Sequence, residues 1–221
     1  MAASALTHAG CLTIPPGVGA LPRFRRWACS DRFPEGVKIS FLDGELWIDM
    51  SPEDLYAHNI LKGEFVRTLG TLLKETRSGI FFSDGALVSN AKANLSTEPD
   101  GTYVSWDAFE SGAVKEVSGK ESVLELSGAP EMVLEVVSPS SVAKDTRVLF
   151  ELYWRAGISE YWIADARAER LRFEIHRRSS RGYARSRGVA GWIKSTVFGR
   201  SFRLTRQSSR RGRPDYTLHV R

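Results

Sequence analysis

The hydrophobic pattern is most regular between residues 130 and 165, where it predicts a strand, a helix and a second strand. Residues 132–137 form an apolar run that carries one acid, Glu135, and a Ser-Pro-Ser-Ser turn follows. Apolar positions at helical spacing then continue to Gly157, and a short apolar run ends at Asp165. Strands covered on both faces of a parallel sheet have such continuous apolar runs. We therefore expect a parallel pair joined by a right-handed crossover helix.

The rest of the chain mixes alternating and helical patterns, which predicts an α/β fold with a mixed sheet. Residues 38–50 alternate around Asp43-Gly44 and predict a hairpin. Residues 51–77 have the leucine spacing of an amphipathic helix, with Ser51 as the expected cap. Further short strands are expected at residues 80–82, 86–88, 102–106 and 123–126, and Arg-rich antiparallel strands at residues 171–176, 183–187, 192–197 and 202–204.

Composition divides the chain into three parts. Residues 1–36 contain several prolines and no sustained periodicity, which predicts an irregular N-terminal lead. Residues 37–206 are expected to form one domain, and residues 207–221 a basic tail that is loose or adds one strand. The two cysteines, Cys11 and Cys29, form no CxxC pair, so a disulfide framework or zinc site is not expected. The chain has no apolar run of membrane-spanning length, and we expect a cytoplasmic protein with no membrane partner.

Charge is distributed unevenly along the chain. Residues 166–221 contain sixteen Lys or Arg against three Asp or Glu, a net charge of +13. Since the whole chain carries +5, residues 1–165 carry −8. This asymmetry indicates a polyanionic partner such as DNA for the C-terminal part. Alternatively, these arginines alternate outward on solvated strands. The candidates for nucleic-acid contact are Arg177, Arg178, Arg185 and Arg187.

Four residues each have a structural and a functional interpretation. Glu135 would lose water in a covered strand, so it is either at an exposed strand end, paired with a core Arg, or a metal ligand or general base. Asp100 lies in a Pro-Asp-Gly turn and, taken alone, favours a turn role. A helical His such as His58 is usually a surface or core residue. Glu45 begins the return strand of the hairpin, where a surface cross-strand partner is the simpler interpretation.

Together, the acids Asp100 and Glu135 and a nearby lysine have the composition of a metal-dependent phosphodiesterase site. Two carboxylates hold a hard cation such as Mg²⁺. The cation stabilises charge on the phosphate and lowers the pKa of the attacking water. Lys144 and Arg147 lie in the first turn of the predicted crossover helix, close to the end of the strand that carries Glu135.

Several segments resemble one known family. The segments LDGELWIDMS, Pro99-Asp100, LEVVSPSS and LYWRAGISEYWIADAR are similar to the Uma2 family of "putative restriction endonucleases", within the PD-(D/E)XK nuclease superfamily. The resemblance implies a restriction-endonuclease-like core with flanking helices and a C-terminal antiparallel extension. It also implies DNA cleavage that depends on Mg²⁺, with Mn²⁺ as a substitute. Asp100 matches the PD acid, Glu135 the (D/E)XK acid and Glu45 an early family acid. A homodimer is expected by analogy, since cutting both strands needs two sites.

The chain departs from the family pattern at the lysine. The superfamily lysine would fall at Val137, and the usual family lysine, four residues after Asp145, would fall at Leu149. Lys144 is the nearest substitute and Arg147 the second, although an arginine can hold a phosphate but cannot act as a base. The alternative is therefore a degenerate nuclease fold that binds DNA or a partner without cutting. A small-molecule hydrolase using Ser138 and His58 lacks a nucleophile-elbow sequence.

Overall fold

The computed structural model of the protein describes residues 4–7, 10–118 and 122–221. It confirms the mixed α/β class, with parallel and antiparallel pairs in its sheets and few helices. A two-stranded pair near the N-terminus consists of β1 (Ser4–Thr7) and β2 (Gly10–Thr13). The helices are α1 (Leu21–Ala28), α2 (Leu61–Thr76), α3 (Trp106–Glu110) and α4 (Leu149–Ala156). A π-helical turn precedes α2 at Leu55–Ile60 and another precedes α4 at Lys144–Val148.

Two six-stranded sheets form the body of the protein. The hairpin sheet has the order β4-β3-β7-β6-β10-β9, and the central sheet has the order β14-β13-β12-β11-β8-β5. The hairpin sheet consists of β3 (Lys38–Leu42), β4 (Glu45–Asp49), β6 (Leu87–Asn90), β7 (Leu95–Thr97), β9 (Val114–Ser118) and β10 (Val123–Gly128). The central sheet consists of β5 (Gly79–Ser83), β8 (Gly101–Ser105), β11 (Met132–Val136), β12 (Glu160–Asp165), β13 (Arg172–Ser179) and β14 (Gly182–Arg185).

A four-stranded C-terminal sheet packs on the central sheet. Its order is β15-β16-β17-β18, and all its pairs are antiparallel. Its strands are β15 (Gly188–Val189), β16 (Trp192–Lys194), β17 (Ser201–Ser208) and β18 (Pro214–Val220). The sheet joins α2 and the central sheet in one apolar core, where Phe202 packs on Trp162.

The strand–helix–strand unit predicted at residues 130–165 is confirmed. β11 and β12 pair in parallel, with Leu134 beside Trp162, and α4 lies between them in sequence. The helix ends at Gly157, whose φ of 93° is the left-handed conformation that glycine tolerates best. Alternate residues of β11 face opposite layers. Leu134 faces the core under α2, whereas Val133 and Val137 face α4.

The segments outside that unit differ from their predictions in three places. Residues 21–28 of the predicted irregular lead form α1, because Pro22 is compatible with a first helical turn and Leu21, Phe24 and Trp27 share one buried face. The predicted helix of residues 51–77 begins at Leu55 and is capped by Asp54 rather than Ser51. The predicted strand of residues 102–106 ends at Ser105, and α3 begins at Trp106. Of the two alternatives for the tail, the added strand is confirmed, since β18 pairs with β17 over its whole length.

The division into lead, domain and tail stays a prediction. Among the described residues, no helix combines the length and the apolar character needed to cross a bilayer.

Candidate functional site

Asp100 is held at the point where β8 begins. Gly101 pairs with Leu134 of β11, so the next residues of the two antiparallel strands, Asp100 and Glu135, lie beside each other. The Asp100 side chain is 5% exposed, and its Oδ2 accepts the backbone N–H of Val136 at 2.8 Å. The turn role considered from the sequence therefore gives way to a buried position across the sheet.

Glu135 points toward α4, the same side of the sheet as Val133 and Val137. It is 2% exposed, and its Oε1 accepts the hydroxyl of Tyr153 at 2.6 Å. Burial raises the pKa of Glu135 well above its ordinary value, the charge of Lys144 lowers it, and the charge of Asp100 raises it further. Burial thus destabilises the charged form of Glu135, and a nearby positive charge stabilises that form, as expected of a carboxylate in a metal site.

Lys144 supplies a positive charge to these acids from the start of the crossover helix. It lines the same cavity as Asp100 and Glu135. Burial lowers the pKa of Lys144, but the charges of Glu135 and two aspartates raise it above the ordinary value. Lys144 is therefore protonated at neutral pH. The neighbouring Asp145 is buried, accepts a short hydrogen bond from Ser141, and has a pKa of about 6, raised by burial.

His58 lies on the π-helical turn and completes the acidic side of the cavity. Its Nε2 is 3.4 Å from Asp100 Oδ2, and its Nδ1 is 3.3 Å from Glu53 Oε2 without hydrogen-bond geometry. Burial lowers the pKa of His58, but the contact with Asp100 and the charge of Glu53 raise it above the ordinary value. One ligand atom from each of Glu53, His58 and Asp100 lies within 4.8 Å of the others, a set that could hold a metal ion.

Two lysines that the sequence analysis did not single out neutralise these acids. Lys62 Nζ donates to Glu53 at 2.8 Å and to Asp84 at 2.7 Å. Lys38 Nζ donates to Asp84 at 3.0 Å and lies 3.6 Å from Asp100 Oδ1. Burial raises the pKa of Asp100, but the contact with His58 and the charge of Lys38 lower it more, to about 2. Asp100 is therefore ionised at any physiological pH.

The candidate residues surround a cavity of 640 Å³. Its lining residues come from five parts of the chain, namely residues 36–38 at the start of β3, residues 49–53 after β4, the π-helical turn before α2, residues 98–100 before β8, and residues 135–145. Val137 and Leu149, where the superfamily and family lysines would fall, are fully buried in the apolar core between the central sheet and α4. Within the described part of the chain, Lys144 is the lysine that lines the cavity beside Glu135.

Two candidates lie away from the cavity. Glu45 is exposed at the first position of β4, and Asp49 at the other end of that strand lines the cavity instead. Alternation within the hairpin could not distinguish the two ends of this strand, because Asp49 is positioned by a long-range contact, the hydrogen bond from Ser140 in the turn after β11. Arg147 is exposed on the π-helical turn before α4 and does not line the cavity.

The four candidate arginines are exposed, and they also lie away from the cavity. Arg177 pairs with Glu160, the first residue of β12, whereas Glu135 pairs with Ile163 further along. Arg178 donates to the carbonyl of Trp154 near the C-terminal end of α4. Arg185 pairs with Glu174 at 3.2 Å. A role of Arg177, Arg178, Arg185 and Arg187 in DNA binding stays a prediction.

The residues that sequence reasoning missed had weak signals. Lys62 is four residues after His58 in the helical segment, so the two share a face, and this spacing could have indicated a polar cluster. Glu53 lies at the start of the predicted helix, where an acid is common because it faces the positive end of the helix dipole. Lys38 begins the hairpin, and no local pattern indicates that the start of β3 lies beside Asp100. Its position depends on how the hairpin sheet packs against the central sheet.

Comparisons with known proteins agree with this fold. A crystal structure of a "putative nuclease belonging to DUF820" from Anabaena variabilis ATCC 29413 is similar with a TM-score of 0.59 and 14% sequence identity. The similarity covers 81% of this chain and 90% of that chain. No curated protein matches the sequence. The Uma2 family, described as "Putative restriction endonuclease", matches residues 21–217, most of the chain. The chain therefore belongs to the Uma2 family of "putative restriction endonucleases".

Proposed function

We propose that the protein is a DNA endonuclease that hydrolyses phosphodiester bonds with Mg²⁺, or Mn²⁺ in its place, as the cofactor. The observation that carries the proposal is the pairing of two buried acids, Asp100 and Glu135, with Lys144 lining the same cavity. Buried carboxylates with shifted pKa values are characteristic of functional sites. Family membership and the fold favour a nuclease over other phosphodiesterases.

The donor set fits a divalent cation with a preference for oxygen. Asp100 and Glu135 would hold the ion, and Glu53 and His58 offer further ligand atoms next to Asp100. Three carboxylates and one imidazole suit Mg²⁺ or Mn²⁺ better than a thiophilic metal. When bound, the cation would lower the pKa of a water molecule and neutralise charge on the phosphate.

The lysines have distinct roles in this proposal. Lys144 remains protonated because its acidic neighbours raise its pKa, so it would stabilise negative charge on the phosphate instead of acting as a base. Lys62 bridges Glu53 and Asp84, which fixes the orientation of Glu53. Lys38 compensates part of the charge of Asp100. These two lysines would keep the acids together in the absence of the cation.

Plasmid nicking tests the activity. Purified protein incubated with supercoiled plasmid and Mg²⁺ or Mn²⁺ should convert it to the nicked form, and EDTA should prevent this. Glu135→Gln should abolish nicking, because a neutral amide cannot replace a charged ligand. Glu151→Gln, at an exposed position on α4, is the matched control and should cut like the wild type. Equal nicking by Glu135→Gln and wild type would refute the role of Glu135.

Metal binding tests the ligands separately from cleavage. Asp100→Asn should weaken Mn²⁺ binding in isothermal titration calorimetry by at least tenfold, since a charged ligand next to Glu135 is lost. An unchanged affinity would return Asp100 to a structural role. Lys144→Ala should lower the nicking rate while leaving the Mn²⁺ affinity similar, and Lys115→Ala, exposed on β9, is its control.

A second candidate function is DNA binding without cleavage. It is favoured by Leu149, a buried apolar residue where the family usually has a lysine. In that case the wild type would bind a duplex but leave plasmid intact across Mg²⁺ and Mn²⁺. The endonuclease proposal also includes a homodimer, because cutting both DNA strands needs two sites. It predicts that two copies of the protein bind one duplex.

A further inference from the structure

The β17–β18 hairpin carries a dense group of positive charge at its tip. The tip, residues 208–214, has the sequence SSRRGRP. It closes through hydrogen bonds from Ser209 N to the carbonyl of Arg213 and from Gly212 N to the carbonyl of Ser209. Gly212 has a φ of 69°, which favours glycine. The tip is therefore a closed turn with three arginines in five residues.

Contacts along β18 place this tip beside the candidate site. The backbone N–H of Leu218 donates to Glu64 of α2 at 2.7 Å. Toward the tip, the guanidinium of Arg213 lies 5.5 Å above the ring of Tyr56, on the π-helical turn that also carries His58. β18 thus runs along α2, and the hairpin tip lies beside the π-helical turn that carries His58.

The other strand of the hairpin gives the same location. Arg206 of β17 donates to the carbonyl of Ala168 at 3.0 Å. Ala168 lies in the loop that follows Asp165, the last residue of β12. Because β11 and β12 are parallel, this loop emerges at the end of the central sheet where Glu135 and Val136 lie. Two independent contacts therefore place the hairpin at the cavity end of the molecule.

The charges at the tip are available to a ligand. Arg210 and Arg211 are exposed, and neither side chain has an ion pair or hydrogen bond among the residues that the structure describes. Arg170, in the loop after β12, is also exposed, although Glu169 is beside it. Exposed arginines without a partner are well suited to phosphate oxygens, which they contact without reading sequence.

We propose that the tip of the β17–β18 hairpin, through Arg210 and Arg211, binds the phosphate backbone of duplex DNA next to the strand held in the cavity. The proposal rests on the proposed endonuclease function for the identity of the ligand. It assigns the main backbone contact to the hairpin and not to Arg177 and its neighbours, which lie at the opposite end of β12. A duplex lying across the cavity mouth would meet the hairpin tip and not Arg177, which pairs with the first residue of β12.

Duplex binding tests the hairpin directly. The anisotropy of a labelled duplex of about 20 base pairs, two helical turns, is measured in EDTA at several NaCl concentrations. The double variant Arg210→Gln/Arg211→Gln should raise Kd on the order of tenfold to a hundredfold near ~0.1 M salt, and should reduce the slope of log K against log salt by about 2. The matched control is Lys92→Gln/Arg181→Gln, which removes the same charge from two exposed turns. The control should keep Kd within about twofold and the slope within about 0.5 of the wild-type values.

Three further measurements separate this proposal from the endonuclease proposal. With Mn²⁺, the hairpin variant should hydrolyse bis(p-nitrophenyl) phosphate at the wild-type rate but nick plasmid more slowly. A wild type that never nicks, yet whose duplex binding depends on the hairpin, refutes the endonuclease proposal and supports the hairpin. Wild-type binding and nicking by the hairpin variant overturn the hairpin proposal, as does a larger loss of affinity in Arg177→Gln/Arg187→Gln.

Discussion

Substitution of Glu160 should lower the stability of the protein, because its carboxylate connects two sheets. Its carboxylate is fully buried and accepts hydrogen bonds on both oxygens. Oε2 accepts from Trp162 Nε1 at 2.9 Å and Ser195 Oγ at 2.6 Å. Oε1 accepts from Thr196 N at 2.6 Å, from its Oγ1 at 2.7 Å and from Val197 N at 3.4 Å. One acceptor therefore joins β12 to the segment between β16 and β17, and so the central sheet to the C-terminal sheet.

The change Glu160→Gln keeps the shape but replaces one acceptor oxygen by a donor. The glutamine loses fewer hydrogen bonds if its NH₂ group takes the place of Oε2 and its oxygen takes the place of Oε1. Ser195 Oγ can then accept a hydrogen bond from the NH₂ group, but the indole N–H of Trp162 is a donor only and loses its acceptor. A buried donor left without a partner costs about 1–3 kcal/mol. The remaining bonds lose their charge assistance, each worth about 1 kcal/mol of the difference between charged and neutral hydrogen bonds. The neutral amide also avoids the cost of burying a charge, which offsets part of this sum. We therefore expect a net loss of about 3–5 kcal/mol in the free energy of unfolding.

Urea denaturation of the metal-free protein measures this loss, with Glu151→Gln as the control, which should change stability by less than about 0.5 kcal/mol. A second measurement is amide hydrogen exchange, which should speed up at Thr196 and Val197 in Glu160→Gln, since their N–H groups bond to this carboxylate. A loss of less than about 1 kcal/mol, or unchanged exchange at both amides, would refute the view that this acceptor holds the two sheets together.

Three further predictions concern stability. Asp145→Asn should match the stability of the wild type near pH 4 and exceed it by at most about 3 kcal/mol at pH 7 in EDTA. The pKa of Asp145 is about 6 in the folded protein and near 3.8 in the unfolded chain, so the wild type loses stability as pH rises between these values. A stability difference between variant and wild type that does not change with pH in urea denaturation would contradict this. Gly128→Ala should lower Tm, because its φ is 144° and a Cβ would lie 2.1 Å from the carbonyl oxygen of Ala113, whereas Gly63→Ala in α2 meets no atom within 4 Å and should raise Tm slightly. Phe24→Ala should cost about 3–5 kcal/mol because the ring is fully buried against Phe41, and a loss below about 1 kcal/mol would show that α1 is not part of the folded domain.

Local patterns in the sequence predicted the elements whose physics is local. The parallel unit, the end of α4 at Gly157 and the hairpin turn at Asp43-Gly44 all follow from periodicity or from residues that tolerate positive φ. The lead was misjudged because α1 is short and has a proline at its second position. Long-range pairing was not predictable, and for that reason Lys38 and Asp84 were missed although they surround Asp100.

The segment GISEYWIAD, which is part of the sequence that resembles the family, has a structural explanation for most of its residues. Glu160 joins two sheets. Tyr161 is fully buried and donates its hydroxyl to the carbonyl of Asp145 at 2.8 Å, which fixes the π-helical turn that carries Lys144. Trp162 packs on α2 and the C-terminal sheet. The segment therefore supports the cavity without lining it, so its presence indicates the fold more directly than it indicates activity.

The position of the lysine follows from the geometry of β11. Residues 133, 135 and 137 face α4, and Val137 is fully buried in that core, so a lysine two residues after Glu135 would place its ammonium among apolar side chains. Such a charge is costly unless it is paired. A lysine on the turn before α4 approaches the same carboxylate from the cavity side, where Asp145 and Asp100 also raise its pKa. Lys144 therefore brings a lysine charge to the cavity beside Glu135, although position 137 itself carries a buried valine.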